Sequence, residues 1–224
     1  PAAFAGRIPL AAHQRAADYT IERTKLVFVD TAIELVAFLG LTLLGGLEQL
    51  QWLATRWFGG DTLWHHAFVV LAALGVLSLL DLPLAWYRQF HHEQRYGFNR
   101  MTPALWLADR IKGLALGALF GIPLLLAVIA AMRWLGPRWW LWAWLLFCAF
   151  NLLVLVLYPT WIAPMFNRFS PLADLPLAQR LDALLARTGF RSRGVMVMDG
   201  SRRSAHGNAY FTGFGAAKRI VLFD

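Results

Sequence analysis

Cysteine is almost absent: in 224 residues only Cys148 carries a thiol, and it sits inside an apolar run. That excludes a disulfide framework and a thiolate zinc site. Charge is also scarce, at 15% of residues, with 13 acidic groups against 21 Lys and Arg. Apolar residues fill the chain instead, at 58%, with a mean hydropathy of +0.51. A soluble domain is nearer ~45–50% apolar, so the excess needs a home other than one core. Residues 27–46, 66–87, 114–132 and 139–158 are apolar runs. Each is roughly twenty residues, enough to cross ~30 Å of hydrocarbon as helix. Residues 170–224 have an ordinary soluble composition. The expected fold is an α-helical integral membrane protein with about four transmembrane helices, followed by the start of a small α+β domain. Three parts are expected: an amphipathic segment over 1–26, a transmembrane region over 27–169, and the beginning of a truncated domain over 170–224.

The net charge of +8 does not have the layout of a nucleic-acid surface. Arg7, Arg15, Arg23 and Lys25 precede the first run, and only Arg56 lies between the first and second. Arg88, Arg95, Arg100, Arg110 and Lys112 follow the second, Arg133 and Arg138 the third, and the remaining nine follow the fourth. Many, few, many, few, many is the positive-inside pattern for four spans with both termini cytoplasmic and residues 52–64 outside. The partner implied is the lipid bilayer, and no basic stripe suits a nucleic acid. The polar stretch from Arg7 to Lys25 is no cleavable signal peptide. The first residue is Pro1, and an apolar strand-like run ends abruptly at Asp224. Both ends are expected to be incomplete.

Carboxylates inside apolar runs are the unusual feature. Asp30 and Glu34 stand four apart on one face of the first run, and Asp81 precedes Pro83 in the second. A carboxylate at membrane depth costs about 2.5–3.5 kcal/mol on insertion scales, so it faces a partner or a wet cavity. Glu34 and Asp81 are expected to line a water-filled chamber. Asp30, close to Lys25, is open between the chamber and a simple ion pair. Gly113, Gly117 and Gly121 make a small-residue stripe expected to receive another helix, and Pro123 a bend. Trp139, Trp140, Trp142 and Trp144 suit an interfacial belt, and Pro159 and Pro164 are expected to interrupt the helix there. Beyond it, Leu177 to Thr188 has helical spacing and a stop at Gly189, and Gly194 to Asp199 is a short buried strand. Asn208 to Phe214 and Lys218 to Phe223 form a hairpin around Gly215-Ala216-Ala217. Two or three strands and one helix do not stand alone.

His92-Glu93-Gln94-Arg95-Tyr96 matches the first four positions of H-E-x-x-H, where two His four apart hold zinc and the Glu acts as base. The fifth position is Tyr96, and His91 points about 100° away on a helix. This segment is therefore expected to hold no metal. His65 and His66, at a membrane boundary, are read as polar-tipped interfacial rings.

Three blocks carry more information together. They are Arg95-Tyr96-Gly97-Phe98-Asn99-Arg100-Met101-Thr102, then the stretch from Tyr158 through Pro164, Asn167 and Ser170 to Leu172, and then Ser201 to Phe214 followed by Lys218 to Asp224. In this order they resemble the type I CAAX prenyl proteases, integral-membrane zinc metallopeptidases related to HtpX, over essentially the whole chain. The resemblance implies helices around a hydrophilic chamber, a tail that begins a metallopeptidase domain, and zinc as the complete protein's cofactor. Its H-E-x-x-H helix would follow Asp224, so no zinc ligand and no catalytic base is assigned in this chain. It also implies that Asn208, Ala209, Tyr210 and Phe211 form an edge strand holding a peptide or membrane-protein substrate as an added strand. Asn208 would orient the peptide or polarise its carbonyl, and His206 would be structural. The plainer alternative is a hairpin whose Tyr and Phe fill the core. The function implied is a membrane-embedded zinc endopeptidase acting on prenylated or other membrane-associated peptides, placed by the same likeness in a bacterial inner membrane with its peptidase domain cytoplasmic. The rival class is a non-catalytic scaffold or polar-cavity transporter, for which no inverted repeat is evident.

Overall fold

The computed structural model describes residues 9–189, 192, 194–213 and 218–224. The chain divides into two compact units that meet in sequence between Gly97 and Phe98.

In the first unit, α1 (Leu10–Thr42) is one helix of 33 residues, about 50 Å long at ~1.5 Å per residue. It runs unbroken from the polar N-terminal segment into the first apolar run. The chain then turns through 57° into α2 (Gly46–Phe58). Two glycines make the corner possible. Gly45 has φ +80°, and a Cβ on Gly46 would lie 2.8 Å from the Leu41 Cα. Thr62 caps α3 (Leu63–Tyr87), its Oγ1 accepting the His65 N–H at 3.0 Å. Pro83 lies inside α3, and five residues later the helix widens into a π-turn over Arg88–His92, where Glu93 N–H donates to Arg88 O. A short α4 (Glu93–Arg95) follows, and Gly97 at φ +80° ends it.

The second unit opens with α5 (Pro103–Trp134), capped by Thr102 and continuous through Pro123. It packs on α6 (Trp139–Leu157), with Phe120 edge-on to Phe150 at 6.4 Å. The glycine stripe is not the face that α6 covers. Nothing among the described residues lies within 4 Å of a Cβ built on Gly113, Gly117 or Gly121. The α5–α6 groove is lined instead by Phe120, Pro123 and Ala127 facing Leu146, Ala149 and Leu153. Pro159 and Pro164 do not interrupt the helix either. A π-turn over Tyr158–Ile162 leads directly into α7 (Ala163–Phe166), with Ala163 N–H bonded to Tyr158 O. One residue of widening re-registers the carbonyl ladder where Pro159 has no N–H to give, so the helical run extends over Gly136–Phe166.

The tail is a four-stranded sheet beside one helix. Strands β1 (Phe169–Pro171), β2 (Val195–Met198), β3 (Ala209–Thr212) and β4 (Arg219–Phe223) lie in the order β1-β2-β4-β3. The β2–β4 pair is parallel and the outer two are antiparallel. Val221, on the inner strand β4, is 2% exposed. Helix α8 (Leu175–Thr188) is capped by Asp174 Oδ1 on Leu177 N–H and ends at Gly189, φ +67°. The expected helix is present, as are the two antiparallel strands of the hairpin and the strand β2, although β2 is half-buried with only Met198 buried, and β1 is an addition. The turn at Gly215-Ala216-Ala217 lies outside the described residues, as do residues 1–8.

Three helical runs, Leu63–Arg95, Pro103–Trp134 and Gly136–Phe166, are each long and apolar enough to cross a membrane. The bent α1–α2 pair passes the same test only when its two helices are taken together as one span, which would make a fourth.

Candidate functional site

The first unit holds a cluster of charge at helix depth. Arg88, on the π-turn, stands with Nη2 2.6 Å from Asp30 Oδ2 on α1 and 3.6 Å from Asp81 Oδ1 on α3. The guanidinium thus ties two carboxylates from two helices. Its Nη2 meets Asp30 closely but off-line for a hydrogen bond, and its Nε has no partner among the described residues. Asp30, open between two readings in the sequence, is therefore ion-paired, though with Arg88 and not with Lys25. Asp81 has the same partner and is partly exposed. Glu34 is exposed on α1 and joins neither.

His92, the near-match to a zinc motif, is packed away. It is 4% exposed, its ring 5.1 Å from Tyr19 and 5.2 Å from Tyr96, with Nδ1 3.7 Å from Glu93 Oε1. Tyr19 O–H donates to that same Glu93 oxygen at 2.9 Å. Among the described residues no group of three or more His, Cys, Asp or Glu is placed to hold a metal ion. The donor set does not fit zinc, and no chemical step is derived through a metal. His65, read from sequence as a polar-tipped ring at a membrane boundary, is 3% exposed and its Nδ1 meets Gly59 O at 3.1 Å. The corner between α2 and α3 closes over it. His66 Nε2 lies 3.2 Å from Asp61 Oδ1.

In the second unit the three sequence blocks converge on one residue, Arg203. Its Nε and Nη2 grip Asp109 of α5 at 2.8 and 3.1 Å, a bidentate pair. Nη1 donates to Asn167 Oδ1 at 2.9 Å and Nη2 to Phe166 O at 2.7 Å. Its own carbonyl accepts Arg100 N–H at 3.1 Å, Ala205 N–H donates to Phe98 O, and Asn99 bridges Ser204. The first block thus pairs with the third along its backbone, and the end of the helix in the second block is held by the same guanidinium. Side-chain exposures of 20% and 15% make Arg203–Asp109 a largely buried pair. Lys112, one turn along α5 from Asp109, donates to Met165 O at 2.8 Å. That places a cation where the α7 carbonyls end. Neither Arg203 nor Asp109 was singled out from sequence. The available signal was Asp109 itself, a carboxylate leading into an apolar helix.

The strand that follows this knot is β3. It is the outer strand of the sheet, in register with β4 as Ala209 opposite Leu222 and Tyr210 opposite Val221. Tyr210 and Thr212 point inward, half-buried, whereas Ala209 and Phe211 point outward, Phe211 at 65% exposure. Only half of the plain-hairpin alternative is met, since Tyr210 enters the core side and Phe211 does not. Ala209, on the outward face, is exposed. Asn208 precedes the strand, exposed, with its carbonyl accepting Phe223 N–H at 3.0 Å and its Oδ1 accepting Ala209 N–H at 2.8 Å. Beneath the strand lies a cavity of about 470 Å³, lined on the sheet side by Met196, Tyr210, Thr212 and Val221 and on the helix side by Tyr158 and Pro159. Burial there, with Tyr158 adding to it, raises the Tyr210 phenol above its ordinary pKa. At the other end of β4, Ser201 N–H and Oγ–H both donate to Asp224 at 2.8 Å and hold that carboxyl below its ordinary pKa. His206 stacks on Phe98 at 4.0 Å, a packing contact.

Comparison with known proteins agrees with this arrangement. The family model described as the N-terminal region of CAAX prenyl proteases, with five membrane helices, matches residues 1–168. The CAAX prenyl protease 1 of Saccharomyces cerevisiae is 42% identical over 160 residues, covering 69% of this chain and 35% of that protein. The CAAX prenyl protease 1 homologue of Oryza sativa subsp. japonica is 34% identical over 220 residues, 94% of this chain and 51% of the relative. The crystal structure of S. mikatae Ste24p superposes with a TM-score of 0.89 at 29% identity, covering 100% of this chain and 54% of that one. The chain therefore spans about half the length, or less, of these relatives. All three are eukaryotic, which gives a bacterial inner membrane no support. The match over residues 1–168 and the apolar helices make this a multi-pass membrane protein, and the chain belongs to the CAAX prenyl protease family.

Proposed function

We propose that this chain is the membrane-embedded, substrate-holding portion of a zinc-dependent endopeptidase acting on membrane-associated peptides, prenylated CAAX-type proteins among them. The observation that carries the reading is the position of β3. It is the outer strand of its sheet, so an extended peptide laid along it gains backbone hydrogen bonds without regard to side-chain identity. A protease needs that tolerance. The zinc, which polarises the scissile carbonyl and activates water when bound, is assigned to sequence outside these 224 residues. The chain's own contribution is to orient the peptide. Asn208 sits at the entry to the strand, and its Nδ2 group is the donor offered to a peptide carbonyl, since its Oδ1 accepts Ala209 N–H. The positive-inside pattern orients both ends of the chain and the sheet towards the cytoplasm.

In the complete enzyme, Asn208→Ala is expected to lower peptide cleavage by about tenfold to a hundredfold with folding and zinc content intact. The estimate takes about 1–3 kcal/mol for losing one orienting polar group. Normal cleavage by this variant, or loss only through unfolding, would remove Asn208 from the site. Cysteine labelling from each side of the membrane tests orientation independently: residues 59–61 should react from outside and Ser192 from inside.

A further inference from the structure

Between α1 and α3, α2 has a length and a surface that fit neither a span nor an aqueous loop. Its 13 residues extend only about 20 Å at ~1.5 Å each, short of ~30 Å of hydrocarbon. Placed on a helical wheel, its residues fall into two sectors. Leu47, Leu50, Leu53, Ala54, Trp57 and Phe58 occupy one. Part of that sector packs on α3, with Ala54 fully buried and both Trp57 and Phe58 against the Phe68 ring at 5.3 and 5.5 Å. The rest of it, Leu47 with the outer faces of Trp57 and Phe58, is exposed. Glu48, Gln49, Gln51, Thr55 and Arg56 fill the opposite sector, with Trp52 among them and the Arg56 guanidinium 5.8 Å over its ring.

What covers the exposed apolar rim follows from the neighbours. Helices α1 and α3 pack on each other and α2 joins the end of one to the start of the other, so with α1 crossing by its own apolar run all three meet at one face of the bilayer. The connection is short and tightly held. Gly45 and Gly46 make the bend, and Thr62 caps the helix that follows. Polar groups exposed at this corner, Asp61 and His66 among them, suit the headgroup side of that face. Trp52, Trp57 and Trp64 all lie in this region, and tryptophan concentrates at membrane–water boundaries.

We propose that α2 lies along the lipid–water interface of the bilayer as an amphipathic surface helix. The apolar rim of Leu47, Trp57 and Phe58 dips among the acyl chains beside α3, while Trp52 and Arg56 sit among the headgroups and Glu48, Gln51 and Thr55 face water. The occupant of the exposed rim is lipid, and α2 acts as a brace that fixes the depth of the first helical hairpin. This is independent of whether β3 binds a substrate.

The test is depth. Single cysteines replace Leu47, Glu48, Gln51, Thr55 and Trp57 in the complete protein, its other cysteines (Cys148 among them) removed. Each is spin-labelled after reconstitution in phosphatidylcholine vesicles and probed by collision with oxygen and with a water-soluble nickel chelate. Labels at 47 and 57 should favour oxygen several-fold over labels at 48, 51 and 55, in step with the helical period. Oxygen preference at all five positions would make α2 a buried half of a broken span and overturn the proposal. Nickel preference at all five would lift the helix into water and overturn it equally.

Discussion

In each unit an arginine ties separate elements together, and the two are used differently. Arg203 meets Asp109 with two donors and reaches Asn167 and the Phe166 carbonyl with the rest, inside a largely buried pocket. Arg88 also ties helices together, but its side chain and that of Asp81 are each more than a third exposed, although its Nε and Nη2 are themselves buried and without a hydrogen bond among the described residues. Buried pairs fix geometry, because removing one partner strands the other without solvent. Exposed pairs are cheap to break when water takes over. The contrast separates a locked joint next to the candidate substrate strand from an open charge cluster at helix depth.

The largest effect is expected at the locked joint. Arg203→Ala should cost about 3–5 kcal/mol, visible as a fall in unfolding temperature of the purified protein in detergent, because it leaves the Asp109 carboxylate unpaired. Arg203→Met with Asp109→Leu should recover much of that loss, since removing both charges removes the stranded one. If the double variant is no better than the single, the joint is held by Asn167 and the Phe166 carbonyl and not by the ion pair.

Breaking the open cluster should be milder. Arg88→Ala is expected to cost on the order of 1 kcal/mol, already discounted for screening at a partly exposed site. This variant sharpens the comparison, because screening requires water. A loss as large as that of Arg203→Ala would put Asp30 and Asp81 in hydrocarbon instead of a wet chamber.

A variant between these two tests the near-match to a zinc motif. His92→Ala should lower stability by about 2 kcal/mol, as expected for emptying a packed ring site, while the zinc content of the complete protein stays unchanged. Loss of zinc on this substitution would show that the missing fifth position is supplied from elsewhere in the protein.

These residues also mark what a sequence makes legible. The apolar runs, the helix from 177 to its stop at Gly189 and the hairpin strands are written in local periodicity and turn residues, and they stand in the structure. Pro159 and Pro164 mislead, because a proline specifies a missing donor but not how the helix accommodates it. Widening by one residue is as good a solution as breaking. Three residues of β1 are too few to show a period. The glycine stripe has the spacing of a packing face, but spacing does not say which face α6 takes. Arg203 and Asp109 are 94 positions apart, and no local pattern links them. The blocks that carry the family resemblance are legible individually, whereas their meeting point requires the fold.

The smallest effect concerns the far end of β4, where Ser201 donates twice to Asp224. The backbone N–H is the larger influence and the hydroxyl the second, and together they hold the carboxyl below its ordinary pKa. A depressed acid stabilises the fold above its unfolded pKa, and that contribution is lost as pH falls through the lower folded value. Ser201→Ala removes only the hydroxyl donor. The Asp224 titration should therefore move up towards the ordinary carboxylate range without reaching it, because the backbone N–H remains. Stability near neutral pH should fall by less than for any variant above, since the carboxyl is solvent-exposed and screened. The shift is read from the carboxyl carbon resonance of selectively labelled aspartate during acid titration. An unmoved titration would mean that the backbone donor alone sets the carboxyl's affinity for its proton.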